Sequence, residues 1–479
     1  MAEGRKFKLP TTMTDEEIER LGILVSEVDG LNSAPHPSLP PPRSFNPWAA
    51  SGAPPPPPPP AGRRRLPPPA ADLLASLPPP LLDAILARLD IRDAVRTSAL
   101  SRDWRRRWEA LPSISLSFLD KRGGTPTSVA VDRVLARYPG HISSFSFHFD
   151  KYSAARVADW LVALSTRGVR SINLQCSYYH YSFTLHSSIF LCSQLVHLEL
   201  NGCRMPPLPA GFTGFPVLEE LKLYAAQFPE NGESLLGEIL GASPLLNTLN
   251  LSYLYVRDDG PADWTIGGCN LRKLTIISDK SYGWRITDLP RLDEATIDFG
   301  KYVSSGDFEG FISGFAQVSK LILHTCYPLP PLANGHLMET LPCTFYNLKS
   351  LILWTHFCER PAILATFCLL MNAPNLEVLE ITIERTFLDG IEANAENHNT
   401  QCTDAFCANL QVVKIKGIGW LPSEMCFIEL VLSKAIVLRT MYLRLGYESS
   451  KSNEDALCEL MTYRRGSPHA QVFFNGEIE

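Results

Sequence analysis

The chain has 479 residues, of which 45% are hydrophobic and 20% are charged, and its formal net charge is −6. This composition can supply a large buried core, while the acidic balance argues against a general binder of nucleic acid or of anionic membranes. No apolar stretch reaches the length of about 18 residues that a membrane-spanning helix needs, and no secretory signal is visible, so we expect a soluble protein of the nucleus or the cytoplasm.

The first 70 residues are predicted to be a disordered, proline-rich tail. Nineteen of the 39 prolines lie between Pro35 and Pro80, and residues 54–60 are an unbroken run of proline. Proline lacks an amide donor and favours polyproline II, so such a segment cannot assemble a core. Ahead of it, a capping box and helically spaced apolar residues predict one short helix over residues 14–28.

Residues 71–112 predict a very small bundle of three short helices. Apolar residues recur at helical spacing before and after a break at residues 90–93, and Trp104, Trp108 and Leu111 follow on one helix face. The bundle has more apolar side chains than so small a core can bury, so some are expected to face a partner. The arginines 102 and 105–107 are expected to form a solvated face.

From Leu111 onward, the pattern apolar-x-x-apolar-x-apolar recurs thirteen times, with successive copies 21 to 34 residues apart. Each copy predicts one short strand with alternate residues buried, followed by a return segment that is helical over residues 157–164 and 233–240, for example. No copy can bury its apolar edge alone, but stacked copies share a continuous core. Four copies open on Asn-Leu, at Asn270, Asn347, Asn375 and Asn409.

The repeated pattern resembles leucine-rich repeats, and the bundle resembles an F-box. Its first half is carried by residues 72–89 (DLLASLPPPLLDAILARL) and its second by residues 93–108 (DAVRTSALSRDWRRRW), a run particularly similar to plant F-box proteins. Residues 410–417, 424–435, 438–443 and 464–474 are similar to the FBD region of plant F-box/leucine-rich-repeat proteins. The sequence is thus identified with the plant F-box/leucine-rich-repeat/FBD family.

The resemblance implies an α/β fold with four regions. A disordered tail (1–70) precedes a three-helix F-box (71–112), and a leucine-rich-repeat solenoid with a curved parallel sheet and helical or irregular return segments follows (113–405). FBD-like repeats and a cap end the chain (406–479). In such repeats, Cys203 and Cys326 fall at the turn position that packs an Asn or Cys inside, which predicts structural thiols.

The resemblance also implies a function, that of the substrate-recognition subunit of an SCF-type ubiquitin ligase. The F-box would bind a Skp-family adaptor and, through it, a cullin, while the repeats would bind a protein substrate. Pro79-Pro80 departs from the family pattern, but two prolines are compatible with a helix start. The predicted adaptor-binding residues, some of which must form the bundle core instead, are Leu77, Pro78, Leu81, Ile85, Leu86, Val95, Leu100 and Trp104.

Substrate would bind the concave face of the sheet, where the side chains between the buried leucines point outward. The predicted substrate-binding residues are Tyr224, His324 and Trp354. The residues around them carry charges of both signs and so do not indicate a particular class of ligand. The sequence contains no phosphate-binding loop, dinucleotide-binding glycines, nucleophile elbow or HExxH motif. We therefore expect a non-catalytic protein without cofactor or metal, and with its 12 cysteines reduced.

Two other functions stay open on the sequence alone. One is a non-degradative repeat scaffold whose F-box does not engage an adaptor, an alternative that rests on Pro79-Pro80. The other is a receptor that acts through the ligase on binding a small molecule.

Overall fold

The computed structural model describes residues 78–89, 91–100, 102, 104, 106–118, 127–149, 153–176, 183–256, 264–267, 270–278, 283–287, 289–299, 311–325, 341, 343–355, 357, 360–384, 407–446 and 451–474. The chain divides into two units, Met1–Ala71 and Asp72–Glu479, and all of these residues belong to the second. The predicted tail and the helix predicted over residues 14–28 lie outside them. Within the described part of the chain, no helix is long and apolar enough to cross a bilayer.

The bundle begins with helix α1 (Pro79–Leu86), continues with α2 (Ile91–Arg96) and adds single 3-10 turns at Thr97–Ala99 and Arg107–Ala110. The two prolines occupy the first helical positions of α1, where their missing amide hydrogens would have no helical acceptor. The start of the helix is intact, since the Leu81 amide donates to the Pro78 carbonyl at 3.0 Å. The sequence-based expectation for Pro79-Pro80 is confirmed.

The main sheet has fourteen parallel strands that follow one another in chain order. They are β1 (Ser113–Phe118), β2 (His141–Phe149), β3 (Ser171–Cys176), β4 (His197–Asn201), β5 (Glu220–Tyr224), β6 (Thr248–Ser252), β7 (Lys273–Ser278), β8 (Glu294–Phe299), β9 (Lys320–Thr325), β10 (Ser350–Thr355), β11 (Val378–Ile383), β12 (Val412–Ile418), β13 (Thr440–Leu445) and β14 (Gln471–Phe474). Each of the thirteen predicted copies supplies one of the first thirteen strands. The predicted fold class is confirmed.

Strand β14 was not predicted as a repeat. Its register with β13 sets Val472 and Phe474 opposite Met441 and Leu443, the last two apolar positions of the pattern. The first position then falls on His469, which breaks the apolar pattern. Because β14 is the last strand of the sheet, Val472 and Phe474 are only partly buried, and the weaker pattern is tolerated there.

The core lies on one side of the main sheet. The second and third apolar residues of each repeated pattern lie on a strand and point into this core. At the second apolar position, Leu249, Leu321, Leu351, Leu379 and Val413 are all 0% exposed. Burial of one such side chain contributes about 1.5–3 kcal/mol to folding. The buried residues form one continuous cluster from the bundle to Ala470, so the repeats share a single core.

The return segments cross the core side as helices, turns and short strands. The helices are α3 (Thr127–Arg137), α4 (Val157–Ser165), α5 (Gly232–Gly241), α6 (Arg360–Met371), α7 (Pro422–Lys434) and α8 (Asn453–Thr462), and α4 and α5 confirm the helices predicted there. Four two-residue strands form a second parallel sheet: Phe183–Thr184, Cys203–Arg204, Gln227–Phe228 and Tyr255–Val256. A further pair joins Thr265–Ile266 to Arg285–Ile286.

Cys203 begins the short strand that follows β4, at the repeat position predicted to hold a structural thiol. It is fully buried, and this burial raises the pKa of its thiol to about 12. A thiol with such a pKa is protonated and unreactive at neutral pH. The other cysteine predicted at this repeat position, Cys326, lies outside the described residues.

The recurring Asn-Leu pair has a structural reason. Each asparagine side chain donates to a backbone carbonyl of the preceding repeat: Asn347 to Gln317 at 3.3 Å, Asn375 to Tyr346 at 2.8 Å and Asn409 to Pro374 at 3.0 Å. Asn270 donates in the same way to Pro244. These bonds satisfy carbonyls at the edge where the strands begin, and they tie each repeat to the one before it.

The last helices are fixed by two carboxylates. Glu424 is 2% exposed, and its Oε2 accepts from the amides of Gly419 and Leu421, both at 2.9 Å, which closes the start of α7. Glu459 of α8 accepts from the Trp420 indole at 3.0 Å and from Lys451. These charge-assisted bonds hold α7 and α8 against the end of the sheet.

Candidate functional site

The bundle has a small closed core. Leu86, Trp104 and Trp108 are 1%, 3% and 2% exposed, and they pack with Leu82 and Ile91. The third predicted helix lies only partly among the described residues, which show a 3-10 turn over Arg107–Ala110. Arg106 before it has a left-handed backbone (φ 64°), and the aromatic side chains predicted on this segment, Trp104 and Trp108, are buried.

Among the described residues of the bundle, four large apolar side chains stay exposed outside this core. We call them the bundle face: Leu81 (52% exposed), Ile85 (39%), Leu89 (39%) and Leu100 (60%). Their exposure adds up to roughly two whole side chains, so their burial by a partner would contribute roughly 3–6 kcal/mol. Exposed apolar residues concentrated in so small a unit are typical of a protein interface.

The structure divides the predicted adaptor-binding residues into two groups. Pro78, Leu81, Ile85 and Leu100 are exposed. Leu86 and Trp104 are buried, so they can act only by holding the bundle together, and Val95 packs partly buried against the core. Leu77 lies outside the described residues. The sequence analysis did not name Leu89 among the adaptor-binding residues. Leu89 lies just after the end of α1, and its spacing of four residues from Ile85 is the signal that could have found it.

One arginine of the bundle is structural. Arg107 was expected on a solvated face, but its side chain is only 19% exposed, and its Nε lies 2.8 Å from Asp83 Oδ1. Its Nη2 also donates to the Pro79 carbonyl at 3.0 Å. Arg107 therefore ties the last turn of the bundle to α1, while Arg102 and Arg106 are exposed as expected.

The bundle packs directly onto the first repeat. The Trp108 ring stacks on Tyr138 with centroids 6.3 Å apart, and the Tyr138 hydroxyl donates to the Leu111 carbonyl at 2.8 Å. Both aromatic residues are buried. This contact fixes the bundle to the amino-terminal end of the sheet and leaves the bundle face uncovered.

The second candidate surface is the side of the main sheet opposite the core, which we call the sheet face. It carries the residues that alternate with the buried positions, and cross-strand ion pairs run over its middle. Glu294 on β8 lies 3.3 Å from Lys273 on β7 and 2.7 Å from Lys320 on β9. Partial burial raises the pKa of Glu294, but hydrogen bonds from the two lysines outweigh it and leave the pKa below its usual value.

Two of the three predicted substrate-binding residues meet on the sheet face. The His324 and Trp354 rings, on β9 and β10, are stacked with centroids 5.0 Å apart, and His324 Nδ1 lies 3.5 Å from Asp298. Tyr224 is 38% exposed, but it lies four strands away on β5 and packs against Tyr253. His324 and Trp354 meet because β9 and β10 are adjacent strands with these two residues opposite each other.

The described residues hold few reactive groups. Within them, no three His, Cys, Asp or Glu side chains are placed to bind a metal ion. Burial raises the pKa of the Cys192 thiol to about 12, as at Cys203, so neither thiol is an activated nucleophile.

Comparison with known proteins agrees with this architecture. Residues 74–115 match the F-box domain family, and residues 157–306 match the family described as FBD-associated F-box protein At5g56370, LRR repeats. The chain is 28% identical to F-box/FBD/LRR-repeat protein At1g13570 of Arabidopsis thaliana, over 84% of this chain and 98% of that protein. It is 24% identical to F-box/FBD/LRR-repeat protein At1g78750 of the same plant, over 84% and 96%.

The matched regions contain the bundle face and part of the sheet face. The F-box match contains α1, α2 and the bundle face, and the repeat match runs from α4 through β8. Relatives with these names point to a non-catalytic, adaptor-type role in substrate recognition, and F-box domains generally bind Skp-type adaptors. The resemblance predicted from the sequence is confirmed: this chain is similar, over most of its length, to the plant F-box/FBD/LRR-repeat proteins.

Proposed function

We propose that this chain is the substrate-recognition subunit of an SCF-type ubiquitin ligase in the nucleus or the cytoplasm. The bundle face binds a Skp-family adaptor, the adaptor binds a cullin, and the sheet face binds a protein substrate. The observation that carries the proposal is the exposure of Leu81, Ile85 and Leu100 in a bundle whose core is already closed. A closed core leaves these side chains available to a second protein.

The chain would promote ubiquitin transfer by holding the substrate in place. A substrate held on the sheet face has its lysines kept near a ubiquitin-charged conjugating enzyme that another subunit of the ligase holds. This raises the effective concentration of the two reacting groups and needs no chemistry from the chain itself. The tight packing of Trp108 on Tyr138 supports this function, because it keeps the bundle in a fixed place relative to the first repeats.

Reconstitution tests the proposal. Purified chain is mixed with a plant Skp-family adaptor and a cullin, and the mixture is separated by gel filtration. We expect all three proteins to elute together, and we expect the cullin to be absent from the complex when the adaptor is left out. Elution of the chain alone, with an adaptor that binds another F-box protein in parallel, would contradict the proposal and favour the scaffold alternative.

A further inference from the structure

The carboxyl-terminal strands carry an unbalanced group of cations on the sheet face. Strand pairing places Glu380, Lys414 and Tyr442 next to one another in one outward row, and Thr382, Lys416 and Arg444 in the next. Adjacent strands are about 4.8 Å apart, so the three cations are close neighbours. We call Lys414, Lys416 and Arg444 the cationic patch.

Only one carboxylate in these two rows offsets the patch. Glu380 Oε1 lies 2.8 Å from Lys416 Nζ. Lys414 is partly exposed and Arg444 exposed, and within the described residues neither makes an ion pair. Two cations thus face solvent without an ion-pair partner among the residues that the structure describes, although the chain as a whole has a net charge of −6.

The middle of the same face is arranged differently. There Glu220 lies 2.9 Å from Lys222 and 3.5 Å from His197, and Glu294 is held between Lys273 and Lys320. These charges neutralise each other, Glu220 with Lys222 along β5 and the other pairs across neighbouring strands. The excess of positive charge is therefore confined to β12 and β13 and is not a general property of the sheet face.

Aromatic rings border the cationic patch on both sides; Phe473 is exposed, and Tyr442 and Trp354 are partly exposed. Tyr442 stacks on Phe473 of β14, with centroids 5.0 Å apart and an angle of 15° between the rings, and Phe473 is 40% exposed. On the other side, Trp354 opposes Thr382 and stacks on His324. Large rigid rings beside cations are the usual anchors of protein interfaces.

We infer that the cationic patch and its aromatic borders bind an acidic peptide segment of the substrate, one in which Asp or Glu alternates with apolar or aromatic residues. Carboxylates would pair with Lys414 and Arg444, and apolar side chains would pack on Tyr442, Phe473 and Trp354. This inference rests on the proposed function for the identity of the ligand as a substrate. Two unpaired cations on an acidic protein are too few to hold a nucleic acid backbone.

Binding of a defined peptide tests the inference. The probe is a fluorescein-labelled twelve-residue peptide of alternating Glu and Phe or Leu, and its matched control has Gln at each Glu. Both are titrated with the full chain in complex with the adaptor, and fluorescence anisotropy is measured. We expect the acidic probe to bind at least about tenfold more tightly than the Gln probe, with an affinity that falls as salt rises.

Two double variants locate the binding. Lys414→Ala/Arg444→Ala is expected to weaken the acidic probe about tenfold and to leave the Gln probe unchanged. Lys222→Ala/Lys273→Ala removes the same charge from the same face, at β5 and β7, and is expected to change the affinity less than twofold. Equal weakening by both variants, equal binding of both probes or preferential binding of an oligonucleotide would overturn the inference.

Adaptor binding is measured on the same samples. If the adaptor binds and the acidic probe does not, the inference fails while the proposed function stands. If the acidic probe binds at the patch but the adaptor does not bind, the peptide site stands and the proposed ligase function fails. The two failures are therefore distinguishable.

Discussion

Removal of two leucines from the bundle face is expected to weaken adaptor binding without unfolding the bundle. Leu81 and Leu100 are 52% and 60% exposed, so together they offer a partner about one whole leucine side chain. Truncation of both to alanine forfeits roughly 1.5–2.5 kcal/mol of burial. This corresponds to a Kd that is about 10- to 70-fold higher in the double variant.

The affinity of the full chain for a purified Skp-family adaptor is measured by calorimetry, together with the thermal midpoint of the chain alone. The matched control is Leu191→Ala/Ile436→Ala, which removes two leucine-sized side chains that are 59% and 60% exposed in the repeats. We expect the control to bind the adaptor as the wild type does. All three proteins should unfold at closely similar temperatures, since the replaced side chains are exposed.

A Kd for Leu81→Ala/Leu100→Ala within twofold of the control would refute the assignment of the bundle face. Trp104→Ala is not a substitute for this variant. Trp104 is 3% exposed, so its truncation would remove core packing and lower stability by about 3–5 kcal/mol. Loss of adaptor binding in that variant would not distinguish a lost contact from an unfolded bundle.

Three further predictions concern the repeats. The pKa of Glu294 is lower in the folded state than in the unfolded state, so its ion pairs stabilise the fold above the ordinary glutamate pKa and this stabilisation is lost on acidification. In the Glu294→Gln variant, the free energy of unfolding is therefore expected to fall less steeply below about pH 5 than in the wild type. Urea unfolding at a series of pH values measures this difference. Asn375→Ala is expected to lower the free energy of unfolding by about 1 kcal/mol, because it breaks the bond to the Tyr346 carbonyl; no change in the urea midpoint would contradict this. In the native protein, iodoacetamide at pH 8 is expected to alkylate exposed Cys426 and to spare buried Cys203, and mass spectrometry showing equal labelling would contradict the assigned packing.

The repeat region could be predicted closely because one local pattern sets both burial and strand position. In every copy, the second and third apolar residues lie on one strand and point to the same side of the sheet. The positions of the thirteen strands therefore follow from the spacing of the pattern alone. The exception is β14, where His469 stands at the first apolar position. An edge strand has one neighbour fewer to pack against, and its sequence carries a weaker pattern for that reason.

The surfaces were harder to predict, because the helical spacing of apolar residues does not show which of them are buried in the core and which stay exposed. Leu82 and Leu86 close the core while Leu81 and Ile85 of the same helix stay exposed, and this division depends on where Trp104 and Trp108 pack. The cationic patch also depends on contacts between strands about 30 residues apart in sequence. Such pairing fixes which charges are neutralised, and no local spacing reveals it.

Hydrogen exchange across the chain, with and without a Skp-family adaptor, tests the central claim most directly. If the bundle face is the adaptor-binding surface, amides from Pro79–Leu86 through Leu100 become protected on complex formation, while those of β4–β14 exchange as in the free chain. Protection that appears on the repeats and spares α1 would contradict the account.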